Sequence, residues 1–302
     1  MMADGIPDEV IGQLRCPNCG GDLQAADGSL RCARGHSHDI ARQGYVSLFP
    51  PGEHTPSGDS AEMVAAREEF LSAGHYALLS DAVAAAATKA LRPGFEEGGG
   101  IVDLGSGTAY YLARLLERLP GWNGLALDAS RPALRRAARA HKRIGAVGCD
   151  AWSPLPVRSN AAALALNVFA PRNASEVSRI LAPGGAFVVV TPTPLHLETL
   201  VSEFGLLGIH KDKQERVADA LLPFFVPECG WDVEFDLALS KAEARTLVMM
   251  GPSARHVGHD ELEERLGEAA GPHGARASVR VQIFRKVRAV PAEDQTIRGR
   301  ER

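Results

Sequence analysis

The chain has 302 residues, 45% hydrophobic and 23% charged, with a formal net charge of −4 from 33 basic and 37 acidic side chains. That length allows one to three domains with a sizeable core, in the composition of an ordinary folded soluble protein. The acid excess excludes a globally basic nucleic-acid coat, and the want of any apolar run near the roughly 20 residues that cross a bilayer excludes a membrane span. MMADGIPDEV has neither the basic leader nor the apolar core of a secretion signal, which points to the cytoplasm. Five cysteines, three of them within the first 32 residues, are too few and too unevenly placed for a disulfide scaffold.

Residues 14–50 are dense in Cys, Gly and short polar turns and carry no helical apolar period. Within them Cys16, Cys19, Cys32 and His36 read C-x2-C, a twelve-residue gap, then C-x3-H. Two knuckles of soft ligands at this spacing can close a tetrahedron around Zn²⁺. A module of about 40 residues buries too little apolar surface to hold itself together, and a bound metal supplies of order 10 kcal/mol toward folding. Four protein ligands leave no open position, so the metal is expected to be structural. His38 competes with His36 as the fourth ligand; the C-x3-H spacing and the turn-forming Gly35 favour His36. Free buried thiols are the plain alternative. A turn-rich linker, residues 51–59, follows. A helix is expected from Ser60 (SAEMVAAREEFLSAG), capped by Asp59 or Ser60, and an Ala-rich helix from about Tyr76 to Leu91.

From Ile101 the rhythm becomes strand, glycine turn, helix. IVDLGSG and GLALD are expected strands, followed by the helices YYLARLLERL and PALRRAARAHK. AALALNVFAP is a strand running into a loop, SEVSRILAPGG a helix with a glycine stop, and AFVVVTP a further strand; VEFDLAL and RVQIFRKV are expected late edge strands. Short apolar strands alternating with amphipathic helices predict an α/β fold, a doubly wound Rossmann-like parallel sheet.

The turn Asp103-Leu-Gly105-Ser-Gly107-Thr108-Ala109-Tyr110 lies where such sheets bind nucleotide-like ligands. Tyr110 stands where a dinucleotide fingerprint needs a third glycine, and the acidic Asp103 suits a ligand with a positive amino group better than a pyrophosphate. Asp128 closes the second strand and can accept both hydroxyls of a ribose; Asp150 sits where a third strand ends and can take an adenine amino hydrogen bond. These acids with G-x-G fit S-adenosylmethionine. Taken singly, each reads equally well as a helix cap or a solvated loop residue.

With these residues in view the chain resembles the RlmA-type 23S rRNA guanine-N1 methyltransferases, from Cys16 to about Thr199. CPNCGGDL and CARGHSHDIARQGYVSLFP are similar to that family's zinc module and exit strand. GDSAEMVAAREEFLSAGHYALL is similar to its bridging helices, and IVDLGSGTAYY, LNVFAP and LAPGGAFVVVTPTPLHLETL follow in family order. The resemblance implies a class I methyltransferase sheet behind a zinc module, and methyl transfer from S-adenosylmethionine to N1 of one guanine in a 23S rRNA hairpin near the peptide exit tunnel. In one actinomycete branch, toward which the Ala/Arg/Gly-rich composition leans, it implies resistance to macrolides such as tylosin. It also implies a homodimer whose zinc modules flank a cleft. Residue by residue, Cys16, Cys19, Cys32 and His36 match the zinc ligands, Tyr76 and His196 match positions lining the cofactor pocket, and Gly105 to Tyr110 matches the cofactor loop. His38, PSARHV (residues 252–257) and Asp150 depart from the family pattern.

Guanine N1 is buried in a base pair, so the base must be unpaired or flipped out before it reacts. Asn167 in LNVFAP is the candidate for holding the base edge, since an amide donates and accepts at once; a loop-capping Asn is the plain alternative. Arg131, Arg135, Arg136, Arg139, Lys142 and Arg143 form a candidate phosphate stripe or a solvated helix face. Arg15, Arg31, Arg34 and Arg42 make the zinc module mildly basic. The expected plan is a zinc-binding RNA-recognition module at 1–50, linker and bridging helices at 51–94, a methyltransferase domain at 95–290 and a mobile tail at 291–302. Two other classes compete: a small-molecule methyltransferase, and a zinc-containing RNA-binding protein without catalysis.

Overall fold

Strands buried on both faces, such as AALAL and the IVDL run in which Asp103 is the one polar residue, need cover on both sides, and the architecture supplies it. The computed structural model describes residues 2–3, 5–50, 52, 58–92, 95, 99–206, 208, 213–255, 266–267 and 272–287. The tail at 291–302 and most of the 51–57 linker lie outside the described residues. The N-terminal part comprises β1 (Met2–Ala3), β2 (Ile6–Pro7), α1 (Asp8–Ile11), the ribbon strands β3 (Leu23–Ala26), β4 (Ser29–Cys32) and β5 (Ser37–Asp39), and β6 (Tyr45–Ser47). The bridging helices are α2 (Ala61–Ser72) and α3 (Ala77–Ala90). Then come β7 (Gly100–Leu104), α4 (Tyr110–Arg118), β8 (Asn123–Asp128), α5 (Arg131–Ala140), β9 (Ile144–Gly148), β10 (Ala162–Val168), α6 (Ala174–Ile180), β11 (Leu181–Pro192), α7 (Glu198–Phe204), α8 (Lys213–Leu221), β12 (Phe225–Leu239), α9 (Lys241–Met249) and β13 (His273–Lys286).

One eight-stranded sheet runs in the order β12-β13-β11-β10-β7-β8-β9-β6. The six strands from β11 to β6 are parallel, while β13 runs antiparallel to β11 and to β12. From β7 the chain winds outward to β8 and β9, then returns to the other side for β10 and β11. The crevice between the carboxyl ends of β7 and β10 is therefore the switch point, where such sheets bind ligands. The strands expected from Ile101 onward are all present, though RVQIFRKV lies inside the sheet, between β11 and β12, rather than at its edge. Polar side chains cap several of the helices. Ser60 Oγ accepts from the Met63 N–H (3.2 Å), Ser130 Oγ from Ala133 N–H (3.3 Å) and Asn173 Oδ1 from Glu176 N–H (3.3 Å). No helix among the described residues is long and apolar enough to cross a membrane.

Packing does not break at residue 50. β6 forms the edge strand of the large sheet, with Val46 opposite Val147 of β9. Ribbon residues Cys16, Leu23, Leu30 and Cys32 share one buried cluster with Val102, Leu104, Leu125 and Val147 of the sheet. Polar ties reinforce it. The Arg15 N–H donates to Pro156 O (3.0 Å), Arg15 Nε to Leu155 O (3.0 Å), and the Arg158 guanidinium pairs with Asp22 at 2.9 Å. Arg15 is thus a docking residue rather than a free cation for RNA. Within the candidate phosphate stripe, Arg136 pairs with Glu68 at 2.7 Å. Arg143 donates to the carbonyls of Leu116, Leu119 and Trp122, satisfying the C-terminal end of α4. Arg131, Arg135, Arg139 and Lys142 remain exposed.

Gly145 of β9 shows how tight the N-terminal docking is. A Cβ there would lie 2.6 Å from Val10 Cγ1 and 3.0 Å from Ile6 Cγ2. Gly145→Ala is expected to cost about 1–3 kcal/mol by overpacking, measured by urea unfolding. Combined with Val10→Ala it should cost less than the sum of the two single changes; strict additivity would show that α1 does not press on the sheet.

Candidate active site

Four side chains of the ribbon converge. The ligand atoms of Cys16, Cys19, Cys32 and His36 lie within 4.8 Å of one another. Cys19 Sγ is 3.7 Å from Cys32 Sγ, and His36 Nδ1 is 3.6 Å from Cys16 Sγ and 3.3 Å from Cys32 Sγ. Bonds of about 2.3 Å to sulfur and 2.0 Å to nitrogen at tetrahedral angles place ligands about 3.4–3.8 Å apart. The set therefore fits Zn²⁺ with every position taken by protein, the arrangement of a structural site. The competing His38 lies close as well, with Nε2 at 3.6 Å from Cys16 Sγ. It is His36 that completes the cluster.

The glycine turn opens at the carboxyl end of β7. Gly105 and Gly107 both take left-handed backbone, φ +66° and +55°. At Gly105 a Cβ would collide with Ala170 Cβ at 2.4 Å, so the turn demands glycine on both counts. Ala109 is also left-handed (φ +58°) as it leads into α4. Ser106 and Thr108 are buried in the turn, and Ser106 Oγ has no partner. Tyr110 likewise has a buried, unpartnered hydroxyl, and the Arg114 guanidinium stands 5.4 Å from its ring centre.

Asp103 is 2% exposed. Among the described residues none gives its carboxylate a hydrogen bond or an ion pair. Burial, reinforced by the neighbouring Asp128 carboxylate, pushes its pKa up to about 7. An acid placed so deep without a cation is costly by itself, and a ligand carrying a positive charge relieves the cost. Asp128 is also raised by burial, but two N–H groups oppose the shift: Gly107 N–H donates to Oδ2 (2.8 Å) and Ser130 N–H to Oδ1 (2.8 Å). Each oxygen keeps a second lone pair for a ligand hydroxyl. Asp150 lies two residues beyond β9 and caps its own turn, its Oδ1 accepting from Trp152 N–H (3.0 Å).

Tyr76 and His196 gather against β13 and bond to each other rather than to the glycine turn. The Ser278 N–H donates to His196 Nδ1 (3.1 Å). A backbone N–H only donates, so Nε2 carries the imidazole proton and gives it to Tyr76 Oη at 3.4 Å. Asn167 departs from its expected role. It is fully buried, and its amide nitrogen donates to Leu104 O (3.2 Å) and Pro171 O (3.0 Å). Both donors are spent on bracing the cofactor turn to the 169–171 loop, so the amide has no donor left for a base edge.

Arg67 of α2 escaped the sequence reading. Its guanidinium pairs with Asp59 (2.5 Å), donates to Met250 O (2.8 Å) and stands 3.3 Å from where a Gly107 Cβ would be. A cation is thereby held at the lip of the glycine turn. The only sequence signal was a lone basic residue in an acidic helix segment, AAREEF. A separate cavity of about 420 Å³ lies between Leu195, Glu198, Asp236 and Arg276. Asp236 and Arg276 pair with each other there at 3.1 Å.

The raised carboxyl has a measurable consequence. At pH values between the ordinary 3.8 and about 7 the folded protein holds a proton that the unfolded chain has released. Asp103 therefore favours folding below that window, and this contribution is lost as pH rises through it. Asp103→Asn should flatten the decline, raising the thermal midpoint relative to the unaltered protein at pH 8 more than at pH 4. An identical pH dependence in both proteins would show that the carboxyl is not buried.

The zinc-ribbon family model described as RlmA, N-terminal, matches residues 14–54. Over 293 residues the chain is 46% identical to a protein of Micromonospora griseorubida assigned as a 23S rRNA (guanine-N(1)-)-methyltransferase, spanning 92% of this chain and 99% of that relative. Over 276 residues it is 44% identical to the 23S rRNA (guanine(748)-N(1))-methyltransferase of Streptomyces fradiae, spanning 91% and 98%. With a Cys3His cluster matching the ribbon model, a class I sheet with its glycine turn, and such identity over more than nine-tenths of the chain, the chain belongs to the RlmA family of 23S rRNA guanine-N1 methyltransferases.

Proposed function

We propose that this chain transfers the methyl group of S-adenosylmethionine to N1 of a single guanine in a 23S rRNA hairpin. The observation that carries the reading is Asp103, a buried acid without a cation beneath a glycine turn at the switch point of the sheet. When bound, the cofactor supplies an electrophilic sulfonium methyl. In this reading Asp103 holds the ammonium of its methionine part, Arg67 the carboxylate, the remaining lone pairs of Asp128 the ribose hydroxyls and Asp150 the adenine amino group. Gly105 and Gly107 let the backbone approach, and Thr108 to Tyr110 close the turn. Asn167 positions the 169–171 loop. His196 does not accept the N1 proton, because its one acceptor nitrogen is held by Ser278. Orientation of methyl and nucleophile in a fixed frame then carries much of the rate.

The ribbon brings the RNA. Its Zn²⁺, on Cys16, Cys19, Cys32 and His36, stiffens a surface that reads a hairpin by shape. The exposed Arg131, Arg135 and Arg139 repeat at four-residue spacing on α5 and offer phosphate contacts. A cytoplasmic enzyme working as a homodimer, and a role in tolerance to macrolides such as tylosin, belong to the same proposal on the strength of the family resemblance.

Incubation of unmodified 23S rRNA with the protein and tritiated S-adenosylmethionine should label the RNA and create one new reverse-transcription stop. N1 methylation blocks the Watson–Crick edge, so the stop maps the base. The first position to inspect is the one corresponding to guanine 748 in the name of the Streptomyces fradiae relative. Label in small metabolites but not in RNA would support a small-molecule methyltransferase instead. Failure to bind S-adenosylmethionine would support a non-catalytic RNA-binding protein.

A further inference from the structure

The loop after β10 holds a bulky residue in a backbone conformation that such residues avoid. Phe169 has φ +56°. Its N–H donates to Val190 O at 3.2 Å, which holds it there. The residue is 41% exposed, with its ring centre 5.6 Å from that of His196. Phe169 borders a cleft of about 250 Å³ whose other walls include Pro171, Arg172 and Thr191. The cleft sits at the carboxyl ends of β10 and β11, on the same sheet edge as the glycine turn. Only the Ala170–Pro171 segment separates the two, since Ala170 Cβ lies 2.4 Å from where a Gly105 Cβ would be.

Two polar atoms of this lining are buried without a partner, Arg172 Nη1 and Thr191 Oγ1. Arg172 Nη2 donates to Ala170 O at 3.3 Å, and no carboxylate pairs with the guanidinium among the described residues. Burial lowers its pKa. A half-buried guanidinium without a counter-charge, one of its nitrogens fully buried, beside an unpartnered hydroxyl leaves hydrogen-bonding capacity that a ligand can complete. An exposed aromatic face next to a lone guanidinium donor matches a nucleobase that carries acceptors on one edge. Guanine presents O6 and N7 in that way, whereas adenine places its N6 amino donor there.

We infer that this cleft receives the methyl-accepting guanine, with Phe169 as the stacking face and Arg172 as the donor to the O6/N7 edge. The inference rests on the function proposed above and names residues which that proposal leaves open. Holding the base by O6 and N7 leaves N1 free, whereas gripping the Watson–Crick edge would block the reacting atom. Thr191 supplies a second hydrogen-bonding group to the bound base.

The test compares Phe169→Ala, Phe169→Gly, Phe169→Tyr and Arg172→Met in the full-length, zinc-loaded protein. Single-turnover methylation of unmodified 23S rRNA, calorimetric affinity for S-adenosylmethionine and thermal midpoint are measured for each. Phe169→Ala and Phe169→Gly should lose about 10–100-fold in methylation, while cofactor affinity stays within about twofold of the unaltered protein. Phe169→Gly should be at least as stable as the unaltered protein, because glycine accepts the left-handed backbone, so stability and activity move in opposite directions. Phe169→Tyr should restore most of the rate. Arg172→Met should lose about tenfold or more. Unaltered methylation in the alanine and glycine variants, or parallel loss of cofactor affinity and rate, overturns the inference alone. If the unaltered protein methylates no RNA, the underlying reading falls with it.

Discussion

A carboxylate removed from water must find a positive partner or hold a proton, and the site is organised around one in that position. Asp103 is the penultimate residue of β7, buried at the point where the strand enters the glycine turn. Asp128, on the neighbouring strand, adds a second negative charge and so raises the cost. Its own oxygens are partly satisfied by the N–H groups of Gly107 and Ser130. The result is a crevice with an unbalanced negative charge at its floor and, at its lip, Arg67 held by Asp59 with its guanidinium facing Gly107. That polarity suits a ligand bearing an ammonium and a carboxylate close together, as an amino-acid moiety does.

The second constraint is mechanical. A ribbon of this size cannot bury a core alone. It draws on a metal cluster and on the underside of the large sheet, where its leucines and cysteines meet Leu104 and Val147. Arg15, Arg158 and Glu176 add polar ties at the same seam, with Arg15 to Glu176 at 3.6 Å and Glu176 Oε2 accepting from Leu155 N–H at 2.7 Å. β6 then enters the sheet as a strand of its own. The surface proposed to read RNA and the crevice proposed to hold the methyl donor are consequently parts of one packed body. A base delivered by one meets the other in a fixed geometry, the condition that orientation-driven catalysis requires.

Much of this was legible in the sequence because its signals are local. Ligand spacing in C-x2-C and C-x3-H constrains a tetrahedron directly, and the change from helical to strand-and-turn rhythm at Ile101 marks the start of the sheet. The rest depended on tertiary partners. Tyr45–Ser47 is too short a run to declare which sheet it joins; its parallel pairing with β9 shows only in the tertiary structure. Charge runs conceal their destinations: Arg143 and Arg136 read as a nucleic-acid stripe, yet one caps a helix and the other pairs with Glu68. Asn167 looked suited to a base edge, but full burial turned its amide toward two carbonyls. The left-handed Phe169 leaves no trace in composition or periodicity, since only its hydrogen bond to β11 shows why the conformation persists.

The organisation of the site turns on one proton. Carbon-13 NMR of the Asp103 carboxyl, assigned by comparison with an asparagine variant, measures it directly. In the free protein that carboxyl should titrate near the value of about 7 that burial imposes. With S-adenosylmethionine bound, the ammonium partner should draw it down toward or below the ordinary carboxylate range. A titration midpoint that is the same with and without the methyl donor would contradict the assignment of Asp103 to its positive charge.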